Sequence, residues 1–261
     1  MKKNQHFFND YQSYLISPEI LLKQRFGKKY TEMTQTMPTD VILSFFHNSI
    51  SIASKELSIT KQINWFGSIS QIAIIEYKGI EIALVSLPLG GSLASMILEE
   101  LIFCGADRFI SIGLAGGISK DLLPHDIIIP TASLKEDGVS NLYLPKDQVP
   151  VASDTITKKI EKTLIQSDLK YHKGLCWSIS TPYRENREII AKLQKEKVLT
   201  VDMEVASLFA VANHREVDLA SLFSVSDIIV DDIWTPHFKD KRTIKMNKLL
   251  LYIALDVLSS N

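Results

Sequence analysis

QIAIIEYKGIEIALVSLPLGGSLASMILEELIFCGADRFISIGLAGG, residues 71–117, decides the architecture. Two apolar runs, 71–77 and 80–88, meet at Lys78-Gly79, the composition of a hairpin turn. Residues 92–105 then carry apolar side chains at helical spacing and end on Gly105, a natural helix stop. Another buried-looking strand, 108–116, follows at once. Strands that alternate with helices in this way imply a sheet covered on both faces.

The same alternation extends outward in both directions. Upstream, 41–46 reads as a strand and 48–57 as a helix. Downstream come a strand at 126–134, a polar loop-rich stretch to Pro150, a helix at 154–166 and a strand at 174–180. Helices at 186–196 and 202–214, a strand at 219–226 and a C-terminal helix at 240–258 complete the chain. The fold class is therefore α/β: a three-layer αβα arrangement around a central mixed, largely parallel twisted sheet. No repeat or Gly/Ser-rich linker divides the sequence, so residues 1–261 read as one domain, with 1–38 a less regular N-terminal extension.

Bulk properties narrow the function classes. The 261 residues are 46% hydrophobic and 23% charged, ordinary for a globular protein, and the net charge of −1 gives no basis for a nucleic-acid or membrane partner. Cys104 and Cys176 are the only cysteines, too few for a disulfide framework or a cysteine zinc site. No apolar run reaches the roughly 20 residues of a membrane helix. The basic start lacks the apolar core of a secretory signal. A cytoplasmic protein is expected. Phe7, Phe8 and Tyr11 stand out in the polar N-terminal segment as either an oligomer contact or local packing.

Ligands of open α/β sheets collect at the carboxyl ends of strands, and three such ends are unusual here. Gly90, Gly91 and Ser92 separate a strand from a helix start, where glycine admits close backbone approach and free N–H groups favour an anion. Gly113, Gly116 and Gly117 follow a second strand, but without the spacing of a dinucleotide fingerprint. Either loop can equally be a simple turn. The third feature is a set of acids next to apolar segments: Asp202 and Glu204 in LTVDMEVASLFAVA (199–212), and Asp227 closing LASLFSVSD (219–227). Asp202 reads as a helix-capping acid. Glu204 beside Asp227 offers an acceptor for hydroxyls together with an acid able to hold a proton. The six histidines show no metal-ligand spacing.

In order along the chain, IGLAGG, DIIIPTASLKEDG, TPYRE, VDME and FSVSD resemble the signatures of the nucleoside phosphorylase family, from about residue 70 onward. That family includes purine nucleoside and uridine phosphorylases, and methylthioadenosine/S-adenosylhomocysteine nucleosidases share its fold. The resemblance implies a nucleoside phosphorylase-like fold and cleavage of an N-glycosidic bond by phosphate, which releases base and ribose 1-phosphate for salvage. By position, Glu204 matches the glutamate that holds the ribose hydroxyls and Met203 the methionine beside the sugar. Asp227 matches the aspartate that protonates N7 of a purine. Gly90, Gly91, Ser92 and Gly113 match loops at the phosphate or water site, and Tyr183, Arg184 and Arg187 lie in the base-contacting segment. The resemblance further implies phosphate as co-substrate, no metal or organic cofactor, and a homodimer or homohexamer.

Two departures bear on the nucleophile. The Gly-Asp-x-x-Arg phosphate loop of the family is absent, and Ser111 stands where relatives carry an arginine before the strand-end glycine. Arg25, Arg108, Arg184 and Arg187 are the candidate substitutes. Water as nucleophile, in a nucleosidase, is the alternative reaction. A non-catalytic nucleoside-binding or storage-type member is the alternative of another class, and retention of both Glu204 and Asp227 argues against it.

Overall fold

The computed structural model describes residues 14–260; Phe7, Phe8 and Tyr11 lie outside the described residues. Elements follow in the order α1 (Pro18–Phe26), a 3-10 turn (Gly27–Lys29), α2 (Tyr30–Gln35), β1 (Asp40–Ser44), α3 (Ser49–Glu56), β2 (Ser58–Phe66), β3 (Ser70–Tyr77), β4 (Ile80–Ser86) and α4 (Gly91–Phe103). Next come β5 (Arg108–Gly117), β6 (Ile127–Glu136), the single turn α5 (Ser140–Tyr143), α6 (Asp154–Gln166), β7 (Tyr171–Ile179), a 3-10 turn (Pro182–Arg184) and α7 (Arg187–Lys195). The chain then forms β8 (Thr200–Asp202), α8 (Val205–Arg215), β9 (Asp218–Val230), β10 (Ile233–Pro236) and α9 (Lys241–Ser259).

All ten strands join one mixed sheet in the order β10-β9-β6-β7-β8-β5-β1-β4-β3-β2, with β9 also paired to β5. The central neighbours β4, β1, β5 and β9 run parallel. Antiparallel pairs form the β2–β3–β4 edge and join β8 to β5, β6 to β9 and β9 to β10. One face of the sheet packs against α4 and α8 through Ile97, Leu98, Leu101, Leu208 and Phe209. The other packs against α6 and α9 through Ile156, Ile160, Leu164, Leu250, Leu251 and Ala254. The expected αβα layering follows from these two clusters. Among the described residues no helix is long and apolar enough to cross a membrane.

Three regions differ from the sequence expectation. Residues 18–35 are largely helical rather than irregular; Ser17 caps the first turn by accepting from Ile20 N at 3.4 Å, and Pro18 occupies its start. Strand β2 was not anticipated, because its short alternation is broken by two register shifts, at Ile59/Lys61 and Asn64/Phe66. Strand β10 was also not anticipated, since all four of its residues are exposed and carry no buried face to read.

Helix α4 buries two charges in an otherwise apolar segment. Glu100 takes both guanidinium nitrogens of Arg25, at 2.7 and 2.9 Å, and the indole N–H of Trp65 at 2.7 Å. Glu99 is gripped by Arg215 of α8 at 2.9 Å. Bidentate pairing compensates the desolvation of these carboxylates, so breaking a pair costs more than never having made it. Arg25 thus ties α1 to α4. We expect Arg25→Met to lose about 3–5 kcal/mol of stability in chemical denaturation, and Arg25→Met/Glu100→Leu to recover most of it. A single variant within experimental error of the parent would show that the pair carries no such role.

Candidate active site

Strand β8 is only three residues long because its last residue turns the chain. Asp202 Oδ1 accepts the backbone N–H groups of Glu204 and Val205 and the Ser178 hydroxyl, each at 2.8 Å. Ser178 Oγ in turn accepts from Ala206 N at 2.8 Å. Three backbone donors at the start of α8 are thereby organised by one carboxylate and one hydroxyl, and the expected capping role of Asp202 follows. The helix begins at Val205, three residues later than the sequence pattern suggested, and Asp202 itself ends a strand.

The turn leaves Glu204 buried beside the glycine loop. Its Oε1 accepts the Gly90 N–H at 2.6 Å, and its Oε2 the Met203 N–H at 3.3 Å. Burial, and then the charge of Asp202, push the Glu204 carboxyl up to about 7 against the pull of these two donors. Asp202 is pushed up to about 6, chiefly by burial. The close contact behind the loop requires glycine: a Cβ on Gly91 would collide with the Ser207 hydroxyl.

Asp227 reaches the site through an irregularity. In the β5–β9 pairing Ala115 faces Val225 but Gly116 faces Asp227, so Ser226 is an extra residue in β9. Side chains alternate along a strand, so in a β9 paired without this bulge Asp227 would point with Phe223 and Val225 into the core beneath α4 and α8; the bulge turns it to the other face. Its Oδ1 accepts the Ser226 hydroxyl at 2.6 Å and its Oδ2 the Trp234 indole N–H at 2.8 Å. A Cβ on the neighbouring Gly116 would lie 3.1 Å from Oδ2, so glycine leaves room for the acid.

Glu204 and Asp227 line one cavity of about 900 Å³ at the carboxyl ends of β5, β8 and β9. Met203, Tyr183 and Arg187 line it as expected from the sequence, whereas Gly90, Gly91, Ser92, Gly113 and Arg184 are not among its lining residues. Gly90 still bears on the site by holding Glu204. Gly113 is covered: a Cβ there would meet Phe45 at 3.4 Å, and Phe45 with Leu114 gives this part of the cavity an apolar wall. Two of the arginines considered for the nucleophile are engaged elsewhere. Arg25 serves Glu100, and Arg108 reaches Asp40 at 2.5 Å at the amino ends of β5 and β1. Ser111 is buried, its hydroxyl bonded to Ser221 at 2.5 Å. Among the described residues, Glu185, Asp202, Glu204, Asp227, Asp231 and Asp232 line the cavity with Arg187 as the one lining cation, and Asp231 is paired with Lys120 at 2.5 Å.

Three residues that line the cavity are not singled out in the sequence: Glu185, Trp234 and Phe45. Glu185 sits between singled-out neighbours, half-buried, its carboxyl pushed up to about 7 by burial and then by the charge of Asp227. It closes the TPYRE signature, but the resemblance assigns it no role. Trp234 lies on the unanticipated β10, although Asp231-Asp232 is a turn signal that marks the hairpin. Phe45 reads as a strand residue and gave no signal. Chemically, the cavity pairs a buried carboxyl acceptor with a second, bulge-aimed acid, inside walls rich in carboxyl groups.

The sequence profile of the phosphorylase superfamily matches residues 49–257. A uridine phosphorylase from Thermococcus kodakarensis is 28% identical over 151 residues, 53% of this chain and 54% of that protein, so the chain spans about half the length of that relative. A DeoD-type purine nucleoside phosphorylase from Bacillus cereus is 29% identical over 182 residues, 69% of this chain and 76% of that protein. In fold, the chain resembles the crystal structure of a uridine phosphorylase from Vibrio fischeri (TM-score 0.75, 21% identity, 85% of this chain and 92% of the other). It also resembles an AMP nucleosidase from Bacteroides thetaiotaomicron (TM-score 0.74, 18% identity, 93% and 97%). With its profile matched across most of the chain, the protein belongs to the phosphorylase superfamily.

Proposed function

We propose that the protein cleaves the N-glycosidic bond of a purine nucleoside with water as the nucleophile. The observation that carries the reading is the presence of Glu204 and Asp227 in one cavity whose walls hold six acids and one arginine. In this reading the Glu204 carboxylate accepts the ribose 2′- and 3′-hydroxyls and Met203 packs against the sugar. Asp227 delivers its proton to N7, while Glu185, Tyr183 and Arg187 meet the base. The C1′–N9 electron pair leaves with the base, and a water oxygen bonds to C1′. That water gives up a proton to solvent, from which the acid is restored. Positive charge grows on the ribose during bond breaking, and an acid-rich cavity stabilises it.

The arginines that the family resemblance would place at a phosphate are unmatched here, which favours water over a phosphate anion. Phosphorolysis is the second reading, favoured by the curated relatives named as phosphorylases. A nucleoside panel incubated with and without phosphate separates the two. Free ribose at a phosphate-independent rate is expected; ribose 1-phosphate would replace hydrolysis by phosphorolysis, and no turnover would remove the enzymatic reading.

Asp227→Asn is expected to keep the fold, by circular dichroism and thermal midpoint, and to lower kcat on purine nucleosides by about 10²–10⁴-fold. An unchanged kcat would take Asp227 out of the mechanism. The acceptor role of Glu204 requires its ionised form. With its carboxyl held up to about 7, protonation removes acceptor capacity as the pH falls below that value. The pH profile of kcat/KM should therefore rise through an apparent midpoint near 7. A flat profile between pH 5 and 8, roughly the range bracketing that ionisation, would contradict the role.

A further inference from the structure

The β9–β10 hairpin folds back across the acid. Its turn residues Asp231 and Asp232 both adopt left-handed backbone conformations, φ 52° and 61°, as a two-residue primed turn requires. Strand β10 then pairs Trp234 with Ile229 and Pro236 with Asp227. The hairpin is fastened at both ends. Lys120 bonds Asp231 at 2.5 Å, and beyond the strand Asp240 receives His125 at 3.3 Å and His237 at 3.4 Å. His237 N also donates to the Ser226 carbonyl at 2.9 Å. Trp234 is thus delivered to Asp227 by a braced element, with Phe238 beside its ring at a centroid distance of 6.3 Å.

We propose that Trp234 is a positioning residue for Asp227: its indole N–H fixes carboxylate oxygen Oδ2 and stabilises the charge that appears there when the proton leaves for the base. This rests on the N-glycosidic cleavage proposed above. An N–H donor gains strength as its acceptor becomes an anion. The bond at 2.8 Å is therefore worth more after proton delivery than before it, which is the condition for lowering a barrier rather than merely holding the ground state. Ser226 does not duplicate the function. Its hydroxyl rotates, and it addresses the other oxygen, leaving the indole as the directionally fixed donor. More than half of the Trp234 side-chain surface stays exposed (57%), so packing alone supplies little reason for its placement.

The deciding variant is Trp234→Phe, which keeps an aromatic ring beside Phe238 and deletes the N–H. Kinetics are compared on a purine nucleoside and on 4-nitrophenyl β-D-ribofuranoside, whose leaving group departs without a proton. The expected result is a fall of about 10–100-fold in kcat on the nucleoside with KM little changed. On the nitrophenyl riboside the rate should stay within about twofold of the parent, because the lost bond serves only the acid. Asp227→Asn/Trp234→Phe should be no slower than Asp227→Asn alone.

Equal losses on both substrates, no loss on the nucleoside, or additive losses in the double variant would each overturn the proposal. An independent readout is the indole resonance of Trp234 in protein labelled with ¹⁵N-tryptophan, assigned by its disappearance in Trp234→Phe. It should move in Asp227→Asn, and an unmoved resonance overturns the bond itself. If the parent protein cleaves neither substrate, the functional reading falls and the catalytic part of this proposal falls with it. A parent that cleaves the nucleoside while Trp234→Phe matches it removes this proposal alone.

Discussion

One carboxylate oxygen organises the centre of this protein. Asp202 Oδ1 ends β8, gathers two backbone N–H groups at the start of α8 and takes the Ser178 hydroxyl. The helix it starts is buried from Val205 to Ala212, so its first turn has no access to water and its donors must be satisfied from within. Glu204 is held against Gly90 because this turn has only one way to run. Removing the Asp202 carboxylate would free three donors at once and loosen the acceptor on which sugar recognition is proposed to depend.

Electrostatics divides the molecule into two regimes. Away from the cavity, Glu100, Glu99 and Asp40 are paired with Arg25, Arg215 and Arg108, whereas buried Asp137 is held by Ser140, Ser207 and backbone N–H groups. Inside the cavity the acids have backbone, hydroxyl and indole donors but little compensating positive charge, and burial raises Glu204 and Glu185 to about 7. Acids whose ionisation is raised by burial and gathered in one cavity are a pattern that marks candidate functional sites.

Much of this was legible in the sequence. The hairpin at 71–88, the helix after the first glycine loop and the C-terminal helix follow from periodicity and turn chemistry, which are local properties of the chain. The acids at 202, 204 and 227 announced themselves because carboxylates next to apolar runs need a reason. What stayed hidden depends on partners distant in sequence. Strand β10 has no buried face of its own, Glu185 acquires its environment from Asp227 across the cavity, and Phe45 matters only because it lies over Gly113. The commitment of Arg25 and Arg108 to acids far from the cavity belongs to tertiary structure alone.

The extra residue at Ser226 makes the acid a matter of counting. In a β9 paired without the bulge, the same Ser-Asp pair would turn its aspartate toward the hydrocarbon packed beneath two helices. The register between Gly116 of β5 and Asp227 of β9, not the Ser-Asp motif itself, sets which way the acid faces.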